Sequence, residues 1–276
     1  MSQYLTKLLD VEISPSKELG PDLFSVELKN EYLAQHIQPG EFLNLWVPGD
    51  NSEILRLPFS FSAVDKKRAT TEVLYQVLGK GTKRLSLIKD PCPSTVLGPA
   101  GHGWTAASKL KEEAQAQGMR DQRVLLVAGG LGIAPLLPQA QALAEAQIAF
   151  DVVIGAPSAS RLVFIERLKD FAADKILIST DDGSAFHKGF CTELSEELLR
   201  ETNYSRVFTC GPEAMQFIVK EQAAKRNIPC EVSLERGMIC GIGACMSCVV
   251  KLSDGSKAGV CMRGPVFLAD EVDWND

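Results

Sequence analysis

Apolar and polar positions change their rhythm twice along the chain. In the first hundred residues they alternate in short runs. Phe24-Ser-Val-Glu-Leu sets its apolar side chains on one face, Phe42-Leu-Asn-Leu-Trp-Val follows a Pro-Gly turn, and Thr71-Glu-Val-Leu-Tyr-Gln-Val-Leu is dense in strand formers. Pro and Gly punctuate these runs at short spacing, which predicts an antiparallel barrel or sandwich. From Lys109 to Arg120 the chain turns polar and charged, marking a boundary. Beyond Arg123, strands are predicted at Val124-Leu-Leu-Val, Phe150-Asp-Val-Val-Ile, Lys175-Ile-Leu-Ile-Ser and Arg206-Val-Phe-Thr. Helices are predicted through Ala146, over Phe164 to Phe171 and from Pro212 to Arg226. Strands alternating with helices build a parallel sheet that binds its ligand at the strand C-termini. The tail from Cys230 is rich in Gly and Cys and too short to enclose a core of its own, so a metal staple is expected to help it fold.

Composition narrows the class. The 276 residues are 45% hydrophobic and 23% charged, in the ordinary globular range. The net charge of -6, without a basic block, argues against nucleic acid, because phosphate neutralisation needs clustered Lys and Arg. The opening Met-Ser-Gln-Tyr-Leu-Thr-Lys has no apolar leader. The longest nearly apolar stretch, Val124 to Leu137, is interrupted by glycines and too short to span a bilayer. A soluble cytoplasmic protein without a membrane partner is expected. The eight cysteines are then unlike a secreted disulfide framework.

Four of those cysteines cluster. Cys240-Gly-Ile-Gly-Ala-Cys245-Met-Ser-Cys248 and then Cys261 give the spacing C-x4-C-x2-C-x12-C. The first three positions match the plant-type [2Fe–2S] arrangement, in which four thiolates complete two tetrahedral irons. Gly241 and Gly243 let the loop wrap closely and free backbone N–H groups for sulfur. A four-thiolate zinc site and inert core cysteines are the alternatives, although zinc sites more often show two separated C-x2-C pairs. Cys92, Cys191 and Cys230 read as core thiols.

A second constellation is strand, turn and helix. Val124-Leu-Leu-Val-Ala-Gly129-Gly130-Leu-Gly132-Ile-Ala-Pro135 brings backbone N–H groups toward a pyrophosphate, and Pro135 suits a first helical turn. It is not G-x-G-x-x-G, and the second strand runs into Gly155-Ala-Pro-Ser rather than an acidic reader of a ribose. A tight structural turn is the alternative. Thr209-Cys210-Gly211-Pro212 opens the helix after the fourth strand at the same sheet edge, where Gly211 admits a flat ring and Cys210 can face it. Asp181-Asp182-Gly183 ends the third strand as a turn. In the barrel, Arg56-Leu57-Pro58-Phe59-Ser60 ends a strand region. Arg56 suits a phosphate and Ser60 a flavin edge. Gly79-Lys80-Gly81-Thr82 precedes a helix without the Walker spacing, and Gly98-Pro-Ala-Gly101-His102-Gly103-Trp104 is a rigid turn. His36, His102 and His187 stand at no ligand spacing, and no G-x-S-x-G nucleophile occurs.

Taken in order, these segments resemble the electron-transfer subunit of the NAD-dependent, two-subunit dihydroorotate dehydrogenases, in the ferredoxin-reductase superfamily. The resemblance runs from about Leu5 to Val272 and is most specific over Leu234 to Cys248 and Cys261-Met-Arg-Gly-Pro-Val-Phe267. It implies an N-terminal antiparallel β-barrel that binds FAD (residues 1–106), a central parallel-sheet α/β domain that binds NAD(H) (107–229) and a small C-terminal iron–sulfur domain (230–276). By motif, Cys240, Cys245, Cys248 and Cys261 ligate a [2Fe–2S] cluster. Pro58, Phe59 and Ser60 line the flavin, Leu74, Tyr75 and Gln76 touch it, and Gly81 and Thr82 hold its pyrophosphate. Close relatives carry the flavin Arg where Leu57 stands here, and Arg56 takes its place under a related pattern. Gly129, Gly130, Gly132, Pro135, Asp181, Gly211 and Pro212 are expected at the dinucleotide, with Ser60 and Cys210 at the reacting rings. Gly-Met in Arg236-Gly-Met-Ile-Cys departs locally from the family pattern.

The implied activity is an electron conduit for pyrimidine biosynthesis, exchanging electrons between NAD and the FMN of a separate catalytic dihydroorotate dehydrogenase subunit, in a heterotetramer with the cluster near the interface. Flavin fits the middle of such a chain because it handles electrons in pairs and singly. Two other readings stay open: a paralogous NAD(P)H-dependent subunit of another reductase, hydrogenase or transhydrogenase-like complex, and a zinc-stapled or redox-sensing module without turnover.

Overall fold

The computed structural model describes residues 6–49, 54–116, 118, 122–162 and 165–275. The N-terminal strands are β1 (Lys7–Ile13), β2 (Lys17–Gly20), β3 (Leu23–Lys29), β4 (Phe42–Leu45), β5 (Leu57–Asp65), β6 (Thr70–Gln76) and β7 (Cys92–Ala100). They follow one another in the order β1-β7-β4-β5-β6-β3-β2, and β1 also pairs with β3. That added pairing closes the sheet into an antiparallel barrel and removes its free edges, while β2 hangs on β3 as a hairpin arm. Leu43 and Leu45 point inward with Ile13, Leu28, Leu33 and Phe61. Phe42, on the opposite face of the same strand, joins a core shared with the C-terminal tail, as the period-2 alternation of a strand requires. Helices α1 (Glu31–His36) and α2 (Lys80–Ser86) cover the barrel, and the Asn30 side chain caps α1 by accepting from the Leu33 N–H. Residues 57–60 open β5, where the sequence suggested the end of a strand region.

The second sheet contains β8 (Arg123–Gly129), β9 (Ala149–Ala156), β10 (Lys175–Thr180), β11 (His187–Lys188), β12 (Arg206–Cys210) and β13 (Cys230–Ser233). Beyond them lie a two-stranded ribbon of β14 (Val249–Lys251) and β15 (Lys257–Gly259), and then β16 (Val266–Leu268). The order is β11-β10-β9-β8-β12-β13-β16. All neighbours are parallel except β13 and β16. Helices α3 (Ala107–Ala116), α4 (Leu137–Glu145), α5 (Ile165–Asp170), α6 (Cys191–Glu201) and α7 (Glu213–Ala224) lie along it, and α8 (Val260–Arg263) belongs to the tail. A 3₁₀ turn over Gly130–Leu136 replaces the expected first turn of α4. Phe164, the expected start of the next helix, lies outside the described residues.

Chain direction around the sheet reverses between β8 and β12. Helix connections part on either side of such a point and leave a crevice at the strand C-termini. The tail does not enclose a core alone. It adds β13 and β16 to the sheet, and Cys248, Val260, Cys261 and Phe267 pack into one core with Leu125, Val127 and Val232. Barrel and sheet are bound together by polar contacts. Arg167 of α5 grips Glu72 of β6 with both guanidinium nitrogens (2.5 and 2.8 Å), Arg161 donates to the Pro21 carbonyl at 2.8 Å, and the Trp104 indole donates to the Pro135 carbonyl at 2.9 Å. Among the described residues, no helix is long and apolar enough to cross a membrane.

Candidate functional site

The crevice faces the barrel. Between them lies a cleft of about 590 Å³ walled on the barrel side by Leu57, Pro58, Phe59, Ser60, Leu74, Tyr75, Gln76 and Thr82, and on the sheet side by Gly129, Gly132, Pro135, Gly211 and Pro212. Residues 57–60 and 74–76 meet because β5 and β6 are neighbours in the barrel. Tyr75 is held from behind: its hydroxyl donates to Ser16 Oγ at 2.8 Å, which in turn donates to the Leu85 carbonyl. Its ring lies 5.9 Å from that of Phe59. Burial pushes the Tyr75 phenol up to about 12, so it stays neutral and acts as wall rather than acid.

The sheet side is built from backbone. A Cβ on Gly132 would stand 2.2 Å from the Cys210 carbonyl oxygen, and one on Gly211 would stand 2.8 Å from the Gly129 nitrogen. Only glycines allow β8 and β12 to turn away this close together, and the bare backbone they leave is a cradle for a flat or phosphorylated ligand. Gly211 also has φ +150. The Gln216 amide donates to the Gly211 carbonyl at 2.7 Å and fixes the turn.

A second, largely apolar pocket of about 400 Å³ continues past this cradle. Gly129 and Pro212 line both spaces, and Gly130, Gly155, Asp181, Phe190, Cys191, Met215 and Ile218 complete it. Its walls come from the C-terminal ends of β8, β9 and β10 and the starts of α6 and α7. The Asp181 carboxylate is the acidic group here. It follows β10, whereas β9 runs into Gly155 and Ala156 without an acidic residue.

Several expected residues stand elsewhere. Arg56 turns toward β7, donating to the Thr95 carbonyl at 2.7 Å and to Thr95 Oγ1 at 2.8 Å, so it does not wall the cleft. Gly81 lies behind Leu57, its place for a Cβ only 3.0 Å from that side chain. Cys210, expected at a reacting ring, is 2% exposed and walls neither space. Burial raises its thiol to about 12, which leaves it protonated and inert at neutral pH. The His102 Nδ1–H donates to the Met262 carbonyl (2.8 Å) and anchors the barrel to the tail. The sequence reading missed Glu213, Gln216, Leu234, Glu235 and Arg236, which complete the cleft. Arg236 pairs with Glu213 at 2.9 Å. Opposite charges flanking two glycine turns were the signal, but they are far apart in the chain.

Arg236 leads directly into the cysteine loop. The Cys245 N–H points at Cys240 Sγ (3.4 Å), the Cys261 N–H at Cys248 Sγ (3.4 Å) and the Gly243 N–H at Cys261 Sγ (3.1 Å). Backbone N–H donation, first from Ile242, brings the Cys240 thiol down to about 6, while burial followed by the neighbouring Cys248 pushes Cys261 up to about 12. Among the described residues no three His, Cys, Asp or Glu side chains converge on one metal position. The four thiols instead form two pairs, Cys240 with Cys245 and Cys248 with Cys261. Two thiolates per iron is the division a [2Fe–2S] cluster needs, and N–H groups aimed at sulfur are its usual support. Cys248 and Cys261 are buried and Cys245 is exposed, so the cluster would have one face in the core and one at the surface.

Comparison with known proteins agrees. Residues 235–273 match the model of the iron–sulfur cluster binding domain of dihydroorotate dehydrogenase B. The chain is 30% identical to the dihydroorotate dehydrogenase B (NAD(+)) electron transfer subunit of Fusobacterium nucleatum, over 97% of this chain and 99% of that one. It is 34% identical to the same subunit of Caldanaerobacter subterraneus subsp. tengcongensis, over 89% and 91%. Among solved structures, that of an NADH-dependent reduced ferredoxin-NADP oxidoreductase superimposes with a TM-score of 0.82 at 29% identity, over 96% and 90% of the two chains. Cleft, cradle, paired thiols and full-length similarity together place the chain in the family of dihydroorotate dehydrogenase B (NAD(+)) electron transfer subunits.

Proposed function

We propose that this chain carries electrons between NAD(H) and an FMN-containing catalytic dihydroorotate dehydrogenase subunit, in the cytoplasm. One observation carries the reading. The cleft and the apolar pocket share Gly129 and Pro212, and Leu234, Glu235 and Arg236 of the cleft lead along the chain into the cysteine loop. In this reading residues 1–106 hold FAD, 107–229 hold NAD(H) and 230–276 hold the [2Fe–2S] cluster on Cys240, Cys245, Cys248 and Cys261. Bound in the cleft, flavin supplies the exchange between hydride transfer and the one-electron chemistry of a cluster.

The side chains do the positioning. Pro58, Phe59, Leu74 and Tyr75 form the apolar wall that keeps water from a ring, and the Ser60 hydroxyl stands at its edge to hold a ring heteroatom. Gln76 and Thr82 supply polar groups at the same wall. Gly129, Gly132, Pro135, Gly211 and Pro212 let a nicotinamide approach from the opposite side, within the contact distance hydride transfer requires. The apolar pocket would hold the adenosine half, with Asp181 as the acidic group available to its ribose. No acid–base pair is needed for this exchange, and the Glu213 and Arg236 side chains that line the cleft are tied to each other.

Around the cysteine loop, Ile239, Ile242, Met246 and Met262 are each about half exposed. Apolar side chains gathered at the exposed Cys245 suit a protein partner, and a heterotetramer with the catalytic subunit would cover them. All eight cysteines are free thiols, which suits a reducing compartment.

The test is anaerobic. Purified chain is assayed for iron, sulfide and flavin, treated with NADH, and followed by absorbance and EPR. The reading requires flavin bleaching together with a [2Fe–2S] signal. Reconstitution with an FMN-containing catalytic subunit should restore dihydroorotate-dependent reduction of NAD, and Cys245→Ala should abolish it. Zinc without sulfide, no response to NADH, or full activity of Cys245→Ala would sink the proposal.

A further inference from the structure

Asn44 is a polar residue in an apolar strand. Its neighbours Phe42, Leu43 and Leu45 are all buried, and Asn44 itself is 2% exposed. Asn is a poor strand former, and a buried amide that makes no hydrogen bond costs the fold its full desolvation. Yet Asn44 Nδ2 is buried and has no hydrogen-bond partner among the described residues.

The direction of the side chain accounts for it. Leu43 and Leu45 fill the barrel, so Phe42 and Asn44 face outward. Phe42 packs into the core that holds Cys248 and Cys261. Asn44, one step along the same face, meets the first glycine of the cysteine loop: a Cβ on Gly241 would lie 2.5 Å from Asn44 Nδ2 and 2.6 Å from its Oδ1. Gly241 has φ +66, so both the backbone and the amide exclude a side chain there. The barrel thus presses one unpaired N–H donor into the loop beside Cys240.

We propose that Asn44 donates a hydrogen bond to a sulfur of the cluster on its Cys240 side, and that this bond raises the cluster's reduction potential. Reduction adds negative charge to the sulfurs, and a donor stabilises that charge more than it stabilises the oxidised form. The proposal rests on the assignment of the cluster to Cys240, Cys245, Cys248 and Cys261. Asn44 acts as a positioning and tuning residue. It carries no electron and exchanges no proton, but it ties the redox poise of the cluster to the wall of the flavin barrel.

The experiment uses the full chain loaded with flavin and cluster. Asn44→Leu keeps the branched shape and removes the donor, and Asn44→Asp puts an acceptor in its place. Each is titrated anaerobically against potential, with EPR reporting the cluster and absorbance the flavin. In Asn44→Leu the ratio of oxidised to reduced cluster at fixed potential should rise about tenfold, the worth of one hydrogen bond to a charged group. That corresponds to about 59 mV for a one-electron couple. Asn44→Asp should shift further the same way, and the flavin potential should stay. A second readout needs no variant: with ¹⁵N in its asparagine side chains, the reduced wild-type chain should show a ¹⁵N coupling in pulsed EPR. An unchanged cluster potential in Asn44→Leu with flavin and iron retained, or no ¹⁵N coupling in the wild type, would overturn the proposal. Wild-type chain that takes up no iron and sulfide would overturn the cluster assignment itself, and the proposal with it.

Discussion

Gly132 lies against the backbone of Cys210 so closely that a Cβ would stand 2.2 Å from its carbonyl oxygen and 2.5 Å from its carbonyl carbon. Backbone cannot swing aside as a flexible side chain can. Gly132→Ala is therefore expected to cost about 1–3 kcal/mol by overpacking and to spread β8 from β12, lowering the melting temperature and the retained flavin together. Gly130→Ala is the comparison. It has φ +56 and nothing within 4 Å of the added carbon, so it should cost only the strain of a left-handed residue, about 1–2 kcal/mol. Thermal denaturation with flavin content checks both. Equal losses of stability and flavin in the two variants would contradict the close approach.

The Glu72–Arg167 bridge predicts a pH dependence. Burial alone would raise the Glu72 carboxyl, but the Arg167 hydrogen bonds and charge, with help from Ser62, outweigh it and hold the group below its ordinary 4.5. A carboxylate with a lowered folded pKa adds stability above its unfolded value, and that stability is lost as pH falls through the folded one. Denaturant unfolding should therefore show the wild type losing stability below about pH 4.5 more steeply than Glu72→Gln. At neutral pH a double-mutant cycle with Arg167→Met should give a coupling of about 1–2 kcal/mol, between the values for exposed and buried pairs.

Asp181 lines the apolar pocket, and under the proposed function a 2′-phosphate of NADPH would meet its carboxylate. Asp181→Ala is expected to lower the preference for NADH over NADPH, read as the ratio of kcat/KM values, by about tenfold. That factor follows from one like-charge contact in a high-dielectric setting. An unchanged ratio would place the ribose elsewhere.

Cys210 gives a prediction of the opposite kind. Its thiol is buried and protonated throughout the working range. Cys210→Ala should leave the rate of flavin bleaching by NADH within about twofold between pH 7 and 9, because no charged form of the thiol is present to act. A tenfold fall in stopped-flow measurements would return Cys210 to the reacting rings.

What the sequence disclosed depends on range. The cysteine loop was legible because ligand spacing is local, and the glycine turns because a turn is local too. Strand periods located β3, β6, β8, β9, β10 and β12. The pairing of β1 with β3 was not visible, because closure of a barrel depends on distant strands. The contact of Arg56 was hidden for the same reason: Thr95, which takes both of its outer nitrogens, is far along the chain. The burial of Cys210 was not visible because the last residue of a strand can turn its side chain to either face. Asn44 passed as an ordinary polar step in an alternating strand, since only the folded chain brings Gly241 against it.

The register of the barrel has a consequence for speed. Asn44 of β4 is paired with Pro58 of β5, so the contact with the cysteine loop and the cleft wall stand on adjacent strands. Adjacent strands lie about 4.8 Å apart. Electron tunnelling decays steeply with distance, so under the proposed function this short strand-to-strand spacing would favour a fast step between the two groups. A flavin on that wall would therefore face a cluster in the cysteine loop across the β4–β5 ladder rather than across open solvent.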